Sequence, residues 1–460
     1  MKGIILAAGR GSKFWPYNEV RNKCATRVAN RPAIRWLAEH LLAAGADGLV
    51  VVVGHLAQSV RGALHGVEGP VTYIEAPPTE GTALAALRAA EVAEDDELLL
   101  AYGDIVTERR NVVDVVNRGR EADRPAVLAA PLKTAGGSSG DWIDFKVRDG
   151  ELKEIWGHPR GSEGHVMGGV AHLRMDRDGE YLRGNPGLVT KVEVGGMPAV
   201  EADLSASLQL MIESQHPVAA VESTDVWCDL DKPWHILRAN YRWVKHLIGQ
   251  YEEDVIPDGC TVDDSADING RIVLSPGAKI GKRVVINGGA FIGEDSEVTN
   301  GAIVDGPTHI GRECRVRHYC QLEAAAIGDE CILSHAAEFC GGVAFERVYF
   351  YHYMEIAGVV GASVDFGAAT VCGTLRFDDG LTTHRIKGRA EVPSDGANVA
   401  YFGDYSRTGV NAIIMPGVKT GAYSLVGPGV ILYEDLPSRK AVFAQQEHRI
   451  IDWGPERYGW

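Results

Sequence analysis

The sequence predicts an α/β domain followed by a triangular coil of short parallel strands. Three patterns lead there. Up to about residue 230, apolar runs of strand length alternate with amphipathic stretches of helical period. From Val262 to Leu322 an aliphatic residue recurs every six positions. Between them, Lys232 to Glu253 carries Ile236, Leu237, Trp243 and Leu247 at helical spacing, as an arm joining two domains would. The expected divisions are residues 1–231 for the α/β domain, 232–254 for the arm, 255–437 for the coil and 438–460 for a C-terminal tail.

The first element is an apolar strand, Gly3 to Ala8, running into a glycine-rich basic loop, Gly9 to Lys13, and then to Lys23 on a polar segment. Glycines let a backbone approach phosphate without a Cβ clash, and exposed N–H groups flanked by cations suit a nucleoside triphosphate. This is no Walker A loop, because no Gly-Lys-Ser/Thr closes it. A dinucleotide fingerprint fails too, since Phe14 stands where a third glycine should be. Further strands are expected at Leu49–Val53, Leu98–Ala101 and Ala126–Ala130, with a helix at Ala83–Ala93. In such a sheet the ligand lies at the carboxyl ends of the strands. Asp104 ends one strand in Glu-Leu-Leu-Leu-Ala-Tyr-Gly-Asp, where a carboxylate serves either as a turn former or as a functional group.

The string Leu6-Ala7-Ala8-Gly9, Gly11, Phe14, Pro16, Arg21, Lys23 and Asn30-Arg31-Pro32 resembles the signature of the sugar-1-phosphate nucleotidyltransferases, the NDP-sugar pyrophosphorylases. Lys13 replaces the signature arginine, Asn18 a threonine, and Asn22 the proline before the lysine. The resemblance extends to Gly81-Thr82-Ala83-Leu84-Ala85, to Gly103-Asp104, and to Trp227-Cys228-Asp229 with Pro233-Trp234 and Ala239-Asn240. It implies a Rossmann-like nucleotidyltransferase domain, with Leu6, Ala7, Ala8, Gly9, Gly11, Gly81 and Thr82 around the nucleotide. It also implies Mg²⁺ on Asp104 and Asp229. Attack of a phosphate oxygen on a nucleoside triphosphate brings two anions together, and a divalent cation offsets that repulsion. Lys13 and Arg10 would steady the departing pyrophosphate, and Lys23 the α-phosphate and the attacking phosphate. No protein nucleophile is required.

The acceptor side departs further from the family. No glutamine precedes Gly81-Thr82, where Glu75 and Ala76 stand instead. The sugar-binding Glu-Lys-Pro becomes Gly157-His158-Pro159, and Asn-x-Gly becomes Met167-Gly168-Gly169. The acceptor is therefore a sugar 1-phosphate or another phosphorylated metabolite.

In the second half the hexad aliphatics are Val262, Ile268, Leu274, Ile280, Ile286, Ile292, Val298, Val304, Ile310, Val316 and Leu322. After Leu322 the period is expected to slip, resuming near Val360–Val371 and Ile413–Val430, with Leu381–Val399 projecting as a loop. Cys260, Cys314 and Cys320 occupy the small inward slot, a packing role. This half resembles the left-handed parallel β-helix of hexapeptide-repeat acyltransferases, which implies a homotrimer. Over its whole length the chain resembles bifunctional acetyltransferase/uridylyltransferases of archaeal type, through motifs such as Leu375-Arg376-Phe377-Asp378-Asp379 and Met415-Pro416-Gly417-Val418-Lys419. That implies acetyl-CoA, or another acyl-CoA, as co-substrate and His352 as the catalytic base. Asp365 and Thr374 stand where the family has asparagines, so acyl transfer and a purely trimerising or regulatory coil both stay open.

The chain has 460 residues, a formal charge of −16 and eight cysteines. Acidity argues against nucleic acid or an anionic membrane as partner. There is no Cys-x-x-Cys pair, signal peptide or long apolar run, which suggests a cytoplasmic protein with reduced thiols. The reading is an Mg²⁺-dependent nucleotidyltransferase for a phosphorylated small molecule. Its alternative is a decayed, trimeric binding or regulatory protein.

Overall fold

The computed structural model describes residues 1–77, 80–135, 142–157, 164–185, 187–189 and 200–458. Its first half is built on a nine-stranded sheet in the order 71–75, 49–53, 2–7, 97–102, 165–174, 126–131, 218–222, 151–157 and 143–148. The strand Lys2–Ala7 runs parallel to Leu49–Val53 on one side and Glu97–Tyr102 on the other. Leu49–Val53 is buried at every position, as a strand covered on both faces should be. The expected helix at Ala83–Ala93 runs Thr82–Ala93 and buries Ala86, Ala89 and Ala93 against the sheet.

The second half is a parallel β-helix. Val262, Ile280, Val298 and Val316 stack directly, successive members pairing 18 residues apart, which is three hexads per coil. Their side chains form one continuous apolar column with the other hexad aliphatics, and Cys314, Cys320 and Cys331 are buried within it. All eight cysteines are free thiols.

The slip expected after Leu322 is present but is not a lapse: Val316 pairs with Leu333 and Leu333 with Phe350, 17 residues apart, and Glu355 with Val371, 16 apart. The missing residue comes out of a corner, between Leu322 and Ile327, where Ala324 adopts a positive φ of 44°. Nor does 381–399 simply project. His384–Ile386 and Arg389–Glu391 form an antiparallel hairpin that returns to the first half. The His384 ring packs on Trp234 at 5.3 Å between centroids, and Glu391 Oε2 lies 3.1 Å from the Lys232 ammonium. Within the expected arm, the helix is His235–Gly249. It buries Ile236, Ala239 and Trp243 in a cluster shared with Phe345, Val359 and Tyr401 of the β-helix.

Candidate active site

The strand Lys2–Ala7 delivers the chain to a cleft of about 340 Å³ lined by Leu6, Ala7, Ala8, Gly9, Lys23, Gly81, Thr82, Asp104 and Asp229. Gly9 faces open space: a Cβ built there meets no atom within 4 Å. Gly11 turns the loop at a φ of +58°, and a Cβ there would press on the Lys23 side chain at 3.4 Å. Both glycines thus do different work, one leaving room over the cleft and one shaping the turn.

Asp104 stands after the strand Glu97–Tyr102, and Asp229 ends the short strand Trp227–Asp229. That strand pairs antiparallel with Ile105–Thr107, with Asp229 opposite Ile105, so the ladder sets the two carboxylates side by side. The Lys23 ammonium forms an ion pair with Asp104. Burial works against its charge, but Asp104, Asp229 and Asp231 outweigh burial and hold the ammonium above the ordinary lysine range. Burial, reinforced by Asp104 and Asp231, pushes the Asp229 carboxyl up to about 8. Cys24 lines the same cleft, and burial pushes its thiol well above the ordinary range, which removes it as a nucleophile.

Three further residues build the site without having been singled out as candidates. Asp231 Oδ2 lies 3.6 Å from Lys13 Nζ and 3.2 Å from Lys232 Nζ, so it anchors the loop lysine to the end of the Asp229 strand. Its position two residues beyond Asp229 was the available signal, since alternate residues of an extended segment share a face. Asn22 is buried, and its amide nitrogen donates to the carbonyls of Ala7 (3.1 Å), Gly9 (3.3 Å) and His55 (2.8 Å). Asp203 takes the hydroxyl of Thr82 at 3.3 Å, while that hydroxyl accepts from Leu204 N–H at 2.8 Å. The Thr82 hydroxyl is therefore engaged within the protein.

Arg10 is exposed at the mouth of the loop. His352 is not part of this cleft. It sits on a β-helix corner, stacked on His335 at 4.9 Å and edge-on to Tyr351 and Tyr353. Met167 lines the cleft, whereas His158 and Pro159 lie outside the described residues. Among the described residues no group of three or more histidine, cysteine or carboxylate side chains could hold a metal by itself. No helix among them is long and apolar enough to cross a membrane.

Residues 3–247 match the family model of the MobA-like NTP transferase domain. The chain is 25% identical over 450 residues to a bifunctional protein GlmU of Methanococcus vannielii, covering 97% of this chain and 98% of that one. It is also 25% identical over 442 residues to a bifunctional sugar-1-phosphate nucleotidylyltransferase/acetyltransferase of Sulfurisphaera tokodaii, covering 95% and 98%. Among solved structures, UDP-glucose pyrophosphorylase complexed with UDP-glucose gives a TM-score of 0.44 at 15% identity, covering 53% of this chain and 98% of that one.

Proposed function

The chain belongs to the MobA-like NTP transferase family, and on that premise we propose that it moves a nucleoside monophosphate from an NTP onto a sugar 1-phosphate, releasing pyrophosphate. The observation that carries this reading is the ion pair of Lys23 with Asp104, beside Asp229, in a cleft floored by the glycine loop. A cation and two carboxylates at one point suit a reaction in which anionic phosphates must be brought together and turned in line.

The donor set fits Mg²⁺. Two carboxylates offer the ion two oxygen ligands and leave most of the coordination shell to phosphate oxygens and water, the usual arrangement for this ion. Asp104 and Asp229 would hold it, and bound there it would supply charge neutralisation along the triphosphate. Lys23 would bind the α-phosphate and the incoming phosphate, so that attacking and leaving oxygens stand on opposite sides of phosphorus. Lys13, fixed by Asp231, and Arg10 at the loop mouth would hold the β- and γ-phosphates as they leave. Leu6, Ala7, Ala8 and Gly81 would wall the nucleoside.

A relative named as a bifunctional sugar-1-phosphate nucleotidylyltransferase/acetyltransferase aligns over nearly the whole chain, which supports the sugar phosphate as acceptor and an acyl-CoA-dependent acyl transfer on the β-helix. His352 would be the base for that second step. A homotrimer in the cytoplasm completes the reading. It agrees with large apolar side chains left open on the β-helix half, Leu375 at 82% and Tyr433 at 68% exposure.

The test is pyrophosphate release by purified protein with each NTP, Mg²⁺ and a panel of sugar 1-phosphates, alongside thiol release from acetyl-CoA with amino-sugar phosphates. Release with one NTP and one sugar 1-phosphate is the expected result. Release only with phosphorylated metabolites that are not sugars would overturn the acceptor, and none with any pair would overturn the transfer itself.

A further inference from the structure

Residues 14–30, between the glycine loop and the helix Ala33–Ala43, fold against the β-helix. Phe14, Tyr17, Val28 and Ala29 share an apolar cluster with Phe345, Val359, Ala362 and Tyr401. The Tyr17 hydroxyl donates to the Val359 carbonyl at 2.7 Å. Arg27 Nε donates to Glu346 Oε2 at 3.2 Å, and Asn30 Nδ2 to Asp329 Oδ1 at 2.6 Å.

Arg21 makes the deepest of these contacts. Its guanidinium forms an ion pair with Asp404, stands 4.0 Å from Glu346 Oε1, and lies over the Phe345 ring at 4.7 Å from the centroid. Asp404 is fully buried, and its Oδ1 also accepts the Ala362 N–H at 2.8 Å, so the β-helix backbone fixes where this carboxylate stands. Its other oxygen, Oδ2, has no partner among the described residues. A carboxylate so placed without a cation is strongly unfavourable, so the contact with Arg21 is held firmly.

The next two residues carry that anchorage into the cleft. Asn22 is tied to the carbonyls of Ala7 and Gly9, and Lys23 to Asp104. Consecutive Cα atoms are about 3.8 Å apart across a trans peptide. A shift of Arg21 is therefore felt at Lys23 across only two peptide units of the chain. We infer that the β-helix is a working part of the nucleotidyl-transfer site, with Asp404 and Glu346 acting through Arg21 as positioning residues for the Lys23 ammonium. The inference rests on the proposed role of Lys23 in binding phosphate. It gives the second half of the chain a task in the first reaction, separate from any acyl transfer.

The experiment compares full-length wild type with Asp404→Asn, which keeps an acceptor for Ala362 N–H and loses the charge. Glu346→Gln and Arg21→Lys are milder companions. Two quantities are read on protein whose melting midpoint shows it folded. The first is the rate at which an amine-acylating reagent modifies Lys23, followed by peptide mass spectrometry with exposed Lys279 as the internal reference. Asp404→Asn should raise the Lys23 rate about tenfold, because a side chain displaced from its ion pair with Asp104 stands open to the reagent. The second is steady-state pyrophosphate release, where kcat should fall about 10- to 100-fold with the KM for NTP within about threefold, the pattern of misplacement. Arg21→Lys should recover part of the loss relative to Arg21→Ala. An unchanged Lys23 labelling rate in folded Asp404→Asn overturns the inference whatever happens to kcat. Should Asp404→Asn not fold, Glu346→Gln decides by the same labelling ratio. Absence of pyrophosphate release by wild type would instead overturn the functional reading, and labelling would still decide the positioning.

Discussion

Asn22 occupies the place where the nucleotidyltransferase signature has proline, and replacing it should unfix the phosphate loop. Its backbone φ of −66° is one a proline ring adopts without strain, so the conformation is shared and the hydrogen bonding is new. The side chain donates to Ala7, Gly9 and His55 carbonyls and accepts from Cys24 N–H at 3.0 Å, while its backbone N–H donates to Ser59 Oγ at 2.8 Å. Asn22→Ala deletes these side-chain bonds in a buried setting, two N–H donors spread over three carbonyls and one acceptor. At about 1 kcal/mol for each bond, plus the small void left, the loss is about 3 to 5 kcal/mol. That is a large share of the roughly 5–15 kcal/mol by which domains are stable. Asn22→Asp should be worse, because a carboxylate cannot donate and would face three carbonyl oxygens. Asn22→Pro should fall near Ala, losing the Ser59 bond in addition.

The measurement is a urea titration followed by tryptophan fluorescence. Residues 255–437 contain no tryptophan, so the β-helix itself contributes no signal and the transition reports the rest of the chain. The KM for NTP should rise in parallel, since Gly9 loses its tether. A cost for Asn22→Ala below about 1 kcal/mol, with an unchanged KM, would refute the claim that this amide holds the loop.

Other outcomes follow from the same geometry. Asp104→Asn should cut pyrophosphate release by about 100-fold or more. Its melting midpoint should stay near wild type, because removing one of the crowded carboxylates offsets the lost Lys23 pair; a collapse in stability would contradict this. Gly9→Ala should leave the melting midpoint unchanged and raise the KM for NTP about tenfold by filling the space a phosphate needs. The same KM as wild type would place the phosphates elsewhere. His235 supplies one part of the pH dependence, beside other histidines that burial lowers, such as His40 and His384, each to about 4. The His235 Nδ1 accepts from the N–H groups of Asp231 (3.2 Å) and Lys232 (3.3 Å), and burial lowers its pKa to about 3. The unfolded chain takes up that proton below about 6.5 and the folded protein does not, so stability falls as pH drops from about 6.5 towards 3. Between pH 7 and 5 the contribution is about 2 kcal/mol. Fluorescence-monitored urea titrations should show a smaller drop over that interval for His235→Asn, and an equal drop would remove His235 as the cause.

The hexad was legible because each coil buries one aliphatic per strand at a fixed spacing, so chain geometry imprints a period on the residues. What a period cannot show is a corner that tightens by one residue. From Leu322 to Ile327 the inward side chains still stack, yet a search for six finds five. The hairpin at His384–Glu391 was hidden for a different reason. It is held by Trp234 and Lys232, some 150 residues earlier, and no local pattern records such a partner. The strands and the glycine loop were visible since their signals lie within a dozen residues of one another.

The same distinction separates what could be seen of the site from what could not. Arg21, Asn22 and Lys23 read as one polar, phosphate-seeking segment. In the folded chain they point to three different places: a β-helix carboxylate, the carbonyls of the glycine loop, and Asp104. Only the last of these bears on phosphate directly. Charge balance in the cleft depends in turn on Asp231, which the signature treats as a variable position. Asp231 is balanced between Lys13 and Lys232, and the described residues lining the cleft then set the carboxylates of Asp104, Glu201, Asp203 and Asp229 against the Lys23 ammonium. The cleft as built therefore repels a free triphosphate, and burial makes that repulsion cheapest to relieve by protonating Asp229. A triphosphate that arrives carrying a divalent cation removes the need for that proton. A protein acidic at the point of entry can thus still select a polyanion, provided the polyanion brings its counter-ion with it.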